Sequence, residues 1–158
     1  CIIILLKNIQ YICWKRGKVL MNILVSACLL GLNCKYSGGN NISEKIVELR
    51  NRYNLIPVCP EQLGGLATPR NPAEICNGLI IDSQGNDVTD FFRKGAMETL
   101  SVARLFNCPI AILKSQSPSC GFGRVYDGTF EGRLVPGMGM TARILQESGI
   151  TVICDEDI

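Results

Sequence analysis

The stretch Pro109-Ile110-Ala111-Ile112-Leu113-Lys114, continued by Ser115-Gln116-Ser117-Pro118-Ser119-Cys120-Gly121-Phe122-Gly123, decides the fold. Its first five residues form a short apolar run of the kind a strand buried on both faces shows, and the run stops at Lys114. From Ser115 onward the chain sustains neither helix nor sheet. Pro118, Gly121 and Gly123 break both patterns, and the closely spaced serines offer hydroxyls to free backbone groups. In an open α/β sheet, ligands bind in the crevice beyond the carboxyl ends of the strands. Cys120 therefore stands where chemistry is expected, although taken alone it reads equally as a small half-buried turn residue.

Working outward, the same grammar recurs. Asn22 to Ala27 is another apolar run, ending at Cys28, and Leu55 to Val58 is a third, ending at Cys59. Between them Ser43 is placed to cap a helix, with Ile42 set against Val47 and with Ile46, Leu49 and Tyr53 on one face. Pro69-Arg70-Asn71-Pro72 reads as extended chain. Leu79 to Val88 carries the Gln84-Gly85-Asn86 signal of a hairpin or tight turn. Thr89 is then placed to cap a long helix that buries Phe92, Ala96, Leu100, Ala103 and Phe106 and closes at Asn107. Tyr126 to Phe130 reads as a turn between two short strands, a candidate flap. Thr141 to Ser148 is a helix stopped by Gly149, before a last strand at Ile150 to Ile153. The alternation predicts a single-domain α/β fold, a mostly parallel sheet with helices on both faces in a Rossmann-like three-layer arrangement. That domain is expected to span residues 21–158. Residues 1–20, basic and apolar, read as an upstream extension outside the fold, because Met21 directly precedes the first strand.

Composition narrows the chemistry. A chain of 158 residues with 47% hydrophobic and 19% charged residues has the balance of a soluble globular domain. A net charge of +2 gives no reason to invoke nucleic acid or an acidic membrane surface, and no segment reads as a membrane span. The chain contains no histidine, which excludes Ser-His and Cys-His catalysis and the commonest metal ligand. It contains nine cysteines without a convincing signal peptide, so a cytoplasmic location and a metal or iron–sulfur site fit better than a disulfide framework.

Cys28, Cys59 and Cys120 each follow a buried strand within a loop rich in Gly, Pro or Ser. Neighbouring strands lie about 4.8 Å apart, so three such thiols at one sheet edge could converge. Cys108 precedes its strand and belongs at the opposite edge. It and Cys76 read as ordinary buried cysteines, and Cys154 follows a strand but lacks a glycine-rich loop. No CxxC pair supports structural zinc or a redox dithiol. Three thiolates from separate loops could hold three corners of a [4Fe–4S] cluster, with Cys34 left as a further ligand or a sulfur acceptor.

The motifs, in series, resemble a known family. Ser26-Ala27-Cys28-Leu29-Leu30-Gly31 with Cys34-Lys35-Tyr36, Pro57-Val58-Cys59-Pro60-Glu61 with Gly64-Gly65-Leu66, and Thr68-Pro69-Arg70 are similar to motifs of the thiouracil desulfurases. So are Gly85 with Asp87-Val88-Thr89, Leu113-Lys114-Ser115 with Ser117-Pro118-Ser119-Cys120-Gly121, Tyr126 to Phe130, and Gly137-Met138-Gly139. The resemblance runs from about Met21 to Gly149. Ser37 stands where that pattern has an acidic residue, and Lys35 where it has Arg. The resemblance implies a [4Fe–4S] cluster on Cys28, Cys59 and Cys120, with one iron not bound by protein. It also implies non-redox removal of sulfur from 2-thiouracil or a related thiolated pyrimidine, giving uracil and sulfide. Glu61 is then the expected general base and Ser117 the expected substrate contact. Lys114 and Arg70 are placed to supply positive charge, with a solvated-surface role weighed equally for Arg70. The competing readings are a sulfide or persulfide carrier and a metal-stabilised nucleotide-binding module.

Overall fold

The structure is a computed structural model and describes residues 20–158. The expectation for residues 1–20 thus lies, apart from Leu20, outside the described residues. The strands are β1 (Asn22–Ser26), β2 (Asn54–Val58), β3 (Ala73–Cys76), β4 (Leu79–Asp82), β5 (Ile110–Leu113), β6 (Arg124–Tyr126), β7 (Leu134–Pro136) and β8 (Thr151–Cys154). The helices are α1 (Glu44–Glu48), α2 (Pro60–Leu63), α3 (Thr89–Leu105) and α4 (Met140–Glu147).

The apolar runs around the cysteines become one parallel sheet of order β2-β1-β5-β8. Leu24 pairs with Ile56 and Ala111, and Ile112 with Val25 and Ile153. Because strand side chains alternate, each run feeds two cores. Leu24, Val58, Ala111, Leu113 and Val152 face Leu100 and Ala103 of α3 and Ala142 and Leu145 of α4. Ile23, Val25 and Ile112 face Ile46 of α1 and Leu29 of the 3₁₀ turn Ala27–Leu30. The predicted α/β sheet covered on both faces is present, with the longer helices on one side. Strand order reverses at β1: the chain passes to β2 on one side and later returns to β5 on the other. The carboxyl ends of β1 and β5 are therefore the topological switch point, where open α/β sheets bind ligands. No helix of the described residues is long and apolar enough to cross a membrane.

Several local expectations shift. The long helix buries Phe92, Ala96, Leu100 and Ala103, but Phe106 follows its last turn and is 43% exposed. Thr89 is the first helical residue instead of the cap. Its hydroxyl accepts from Ile80 N at 2.8 Å, while Asp87 Oδ1 accepts from Thr89 N at 2.9 Å. Ser43 precedes α1 without a side-chain cap bond, and Ile42 is exposed. Gln84-Gly85-Asn86 forms the tight turn after β4. The hairpin itself joins β3 to β4 through Asn77-Gly78, with φ of 50° and 83°, the left-handed pair that short hairpins favour. The Asn-Gly pair is the strongest short hairpin signal in the chain, and the sequence reading passes over it. The expected turn after Tyr126 does connect an antiparallel pair, β6 and β7.

Candidate active site

β1, β2 and β5 deliver their cysteines to one place. Cys28, Cys34, Cys59 and Cys120 all line a single cavity of about 490 Å³, together with Glu61, Arg70, Lys114 and Ser117. Cys28 sits in the 3₁₀ turn after β1, Cys59 directly after β2, and Cys120 in the loop after β5. Cys76, Cys108 and Cys154 do not line it. Asn22 Nδ2 donates to Phe106 O at 2.6 Å, which places the approach to Cys108 at the amino ends of the strands. None of the seven described cysteines is in a disulfide.

The Cys120 loop is built by its own hydroxyls and glycines. Ser117 Oγ accepts from Ser119 N and Cys120 N, both at 3.1 Å, a turn that fixes where the thiol points. The loop caps the amino end of α4: Pro118 O and Ser119 O accept from Met140 N and Thr141 N at 2.9 Å. Ser119 Oγ meets Thr141 Oγ1 at 2.8 Å in the buried core. A Cβ at position 139 would lie 2.4 Å from Ser119 O, so the close approach admits only glycine. This is the structural content of the Gly137-Met138-Gly139 motif.

The thiols are electrostatically crowded. Burial pushes Cys120 up, with the nearby Cys28, Glu61 and Cys59 adding to the effect against a hydrogen bond from Ser26. Burial and then Cys59 and Cys28 push Cys34 up to about 12. Burial raises Cys28 as well, opposed by its hydrogen bond with Asn41. Neighbouring thiols thus oppose the ionisation of Cys28, Cys34 and Cys120, and added positive charge is what makes several thiolates compatible in one place. That donor set, soft and sulfur-only, suits an iron–sulfur cluster or another thiophilic metal. Among the described residues, no three His, Cys, Asp or Glu side chains close around a single ion.

Of the two roles weighed for Arg70, the solvated-surface one does not fit its burial. Its side chain is 7% exposed, and its guanidinium holds four acceptors. Nε donates to Glu61 Oε2 at 2.6 Å, one terminal nitrogen to Ala67 O and Thr68 Oγ1, and the other to Cys34 O at 3.1 Å. It locks Glu61 beside the cysteine cavity while the carboxylate's other oxygen is bonded by no described residue. Lys114 Nζ is paired with Asp155 Oδ2 at 2.9 Å. Tyr36 also lines the cavity, whereas Asp127 is engaged by Thr129 and Arg133 outside it.

The family described as 2-thiouracil desulfurase matches residues 23–157 of the chain. The chain belongs to the 2-thiouracil desulfurase family. It is 42% identical over 146 residues to the uncharacterized protein YbbK of Bacillus subtilis (strain 168), covering 86% of this chain and 97% of that one. It is also similar to the solved structure of the [4Fe–4S]-dependent thiouracil desulfidase TudS. That likeness has a TM-score of 0.82 and 38% sequence identity, over 87% of this chain and 93% of the other.

In this member of the family, several site residues go unnoticed by sequence reasoning. Asp155 Oδ1 accepts from Ser115 N at 2.6 Å, and Glu156 Oε1 accepts from Ser115 Oγ at 2.9 Å, so a short 3₁₀ turn after β8 clamps the start of the Cys120 loop. Asn41 reaches the Cys28 thiol, and Glu74 lines the cavity from β3. None of these lies in a Cys, Gly or Pro motif.

Proposed function

We propose that this chain removes sulfur from 2-thiouracil or a related thiolated pyrimidine, and that Cys28, Cys59 and Cys120 hold a [4Fe–4S] cluster with one iron not bound by protein. One observation carries the reading: three cysteines that follow three neighbouring parallel strands line the same cavity as Glu61 and Ser117. Bound there, the cluster would supply a soft Lewis acid for the substrate's sulfur. The protein's own groups supply the rest. Glu61, oriented by Arg70, uses its unbonded oxygen to hold a water and take its proton as the water attacks the ring carbon. Ser117 accepts two amide bonds, so its hydroxyl proton remains available to donate to the ring oxygen or the leaving sulfur. Water's oxygen replaces sulfur, sulfide leaves, and no electrons are exchanged with the substrate. Seven described cysteines without a disulfide suit the reducing cytoplasm.

The test is anaerobic reconstitution with iron and sulfide, followed by a sulfide-release assay on 2-thiouracil. Changing Cys28, Cys59 or Cys120 to Ser is expected to remove most of the iron and the broad visible absorbance, while Cys108→Ser keeps both. Zinc at full occupancy with no iron would overturn the reading in favour of a metal-stabilised module. The buried Cys34 in the same cavity keeps a sulfide carrier as second reading. Such a carrier would take the outer sulfur of a donor persulfide onto Cys34, returning the donor as a thiol, and would release no sulfide from 2-thiouracil.

A further inference from the structure

The loop between β6 and β7 puts an aromatic ring at the cavity under conditions that packing does not explain. Phe130 lines the cavity, is 41% exposed and has φ of 60°. A bulky side chain in the left-handed region is strained, and so much exposure returns little burial in exchange. The surroundings nevertheless fix it. Glu74, 8% exposed, accepts from both Gly128 N and Phe130 N at 3.0 Å through one oxygen. Gly128 sits directly on β3, where a Cβ would come within 2.9 Å of Ile75 O and Cys76 Cβ. Asp127 Oδ1 accepts from Thr129 N and Thr129 Oγ1 at 3.1 and 2.6 Å. The loop is therefore a shaped wall with a phenyl ring held at the cavity, which Tyr36 and Tyr126 also line.

A pyrimidine thione is a flat π-system, and stacking on an aromatic side chain is a general way to hold one. We propose that Phe130 stacks on the pyrimidine ring and selects planar ring substrates, and that Glu74 is the positioning residue that aims it through the loop backbone. This rests on the desulfuration reading, and it assigns the ring contact that the reading leaves open.

The iron-loaded protein tests it. Phe130→Gly is expected to raise KM for 2-thiouracil roughly tenfold with kcat nearly unchanged. Iron content should hold, and Tm should not fall, because glycine is at ease at this φ. Phe130→Tyr restores the parent KM. Glu74→Ala raises KM in the same direction and speeds hydrogen exchange at Gly128 and Phe130. Glu74→Gln, which keeps an acceptor oxygen, does neither. Should Phe130→Gly fold poorly, Phe130→Leu carries the same test. A parent-like KM in Phe130→Gly or Phe130→Leu, or a loss confined to kcat, overturns the proposal. Uracil binding, followed by calorimetry, separates this inference from the reading it rests on. If the parent protein releases no sulfide, desulfuration fails on its own, yet weaker uracil binding by Phe130→Gly still supports ring stacking and unchanged binding overturns it.

Discussion

At the scale of single residues, the pairing of Glu61 with Arg70 sets what each can do. Arg70 spends its planar fork on Glu61, Thr68 and two carbonyls, a geometry that lysine cannot reproduce. Glu61 is thereby placed by another side chain and by its position in the first turn of α2, two residues after Cys59. Glu61→Gln preserves an acceptor for Arg70 but cannot take a proton. Its expected outcome is unchanged iron content and a turnover of 2-thiouracil lower by roughly a hundredfold, measured as sulfide release. Turnover near the parent rate with iron intact would move the base elsewhere, and Tyr36 is then the next residue to change. Ser117→Ala behaves differently. It removes the acceptor that pins Ser119 N and Cys120 N, so iron retention against a chelator should fall together with activity. The two variants separate a group that acts on the reaction from one that also shapes the metal site.

At the scale of elements, the site depends on how a short turn at one end of the sheet ties down a loop from its middle. Lys114 N donates to Ser26 Oγ at 3.0 Å, and Asp155 then holds both Ser115 N and the Lys114 ammonium. Asp155→Ala removes a charge-assisted bond of about 1.5–3 kcal/mol. It should accelerate hydrogen exchange at Ser115 and iron release to a chelator, while Asp155→Asn, which keeps the acceptor, shows a smaller change. Protection equal to the parent in Asp155→Ala would mean that Ser26 and Glu156 hold the loop without it. The strands and their terminal cysteines are legible in sequence because a buried parallel strand leaves a continuous apolar run and an abrupt polar end. The clamps are not. Asp155 meets a partner 40 residues away and Glu74 partners 54 and 56 residues away, and neither sits in a periodic pattern. Arg70 stays undecided in sequence for a related reason: a lone arginine between prolines reads as buried or solvated alike until four acceptors close around it. The Asn77-Gly78 turn is a local signal and needs no tertiary knowledge.

At the scale of the whole molecule, the cavity is anchored to the far side of the core by the contact between α2 and α3. A Cβ on Gly95 would stand 1.9 Å from Pro60 O, and one on Gly64 would stand 2.0 Å from Phe91 O. Two backbones touch here with no side chain between them. Alanine in an exposed helix would gain about 1 kcal/mol over glycine, but Gly95→Ala cannot be accommodated without moving α2. The expected cost is about 2 kcal/mol of overpacking, a fall in Tm of roughly 4–8 °C. Because Cys59 and Glu61 flank Pro60, Gly95→Ala should also weaken iron binding and turnover together, measured on the same reconstituted sample. A stable variant with parent activity would show that α2 is free to shift.

That glycine contact also governs how the gene would tolerate change. In a random-mutation screen for loss of desulfuration, position 95 should be struck about as often as the thiol positions, since nearly every codon substitution there adds at least a methyl group. Gly64 should share that intolerance. Gly78 and Gly85 have nothing within 4 Å of an added Cβ. They should accept Asn or Asp at a modest cost in backbone strain, because these two residues tolerate the left-handed region better than other side chains. A map of inactivating substitutions would therefore outline the α2–α3 seam as sharply as the cavity, and a reader of that map alone would mistake the seam for part of the active site.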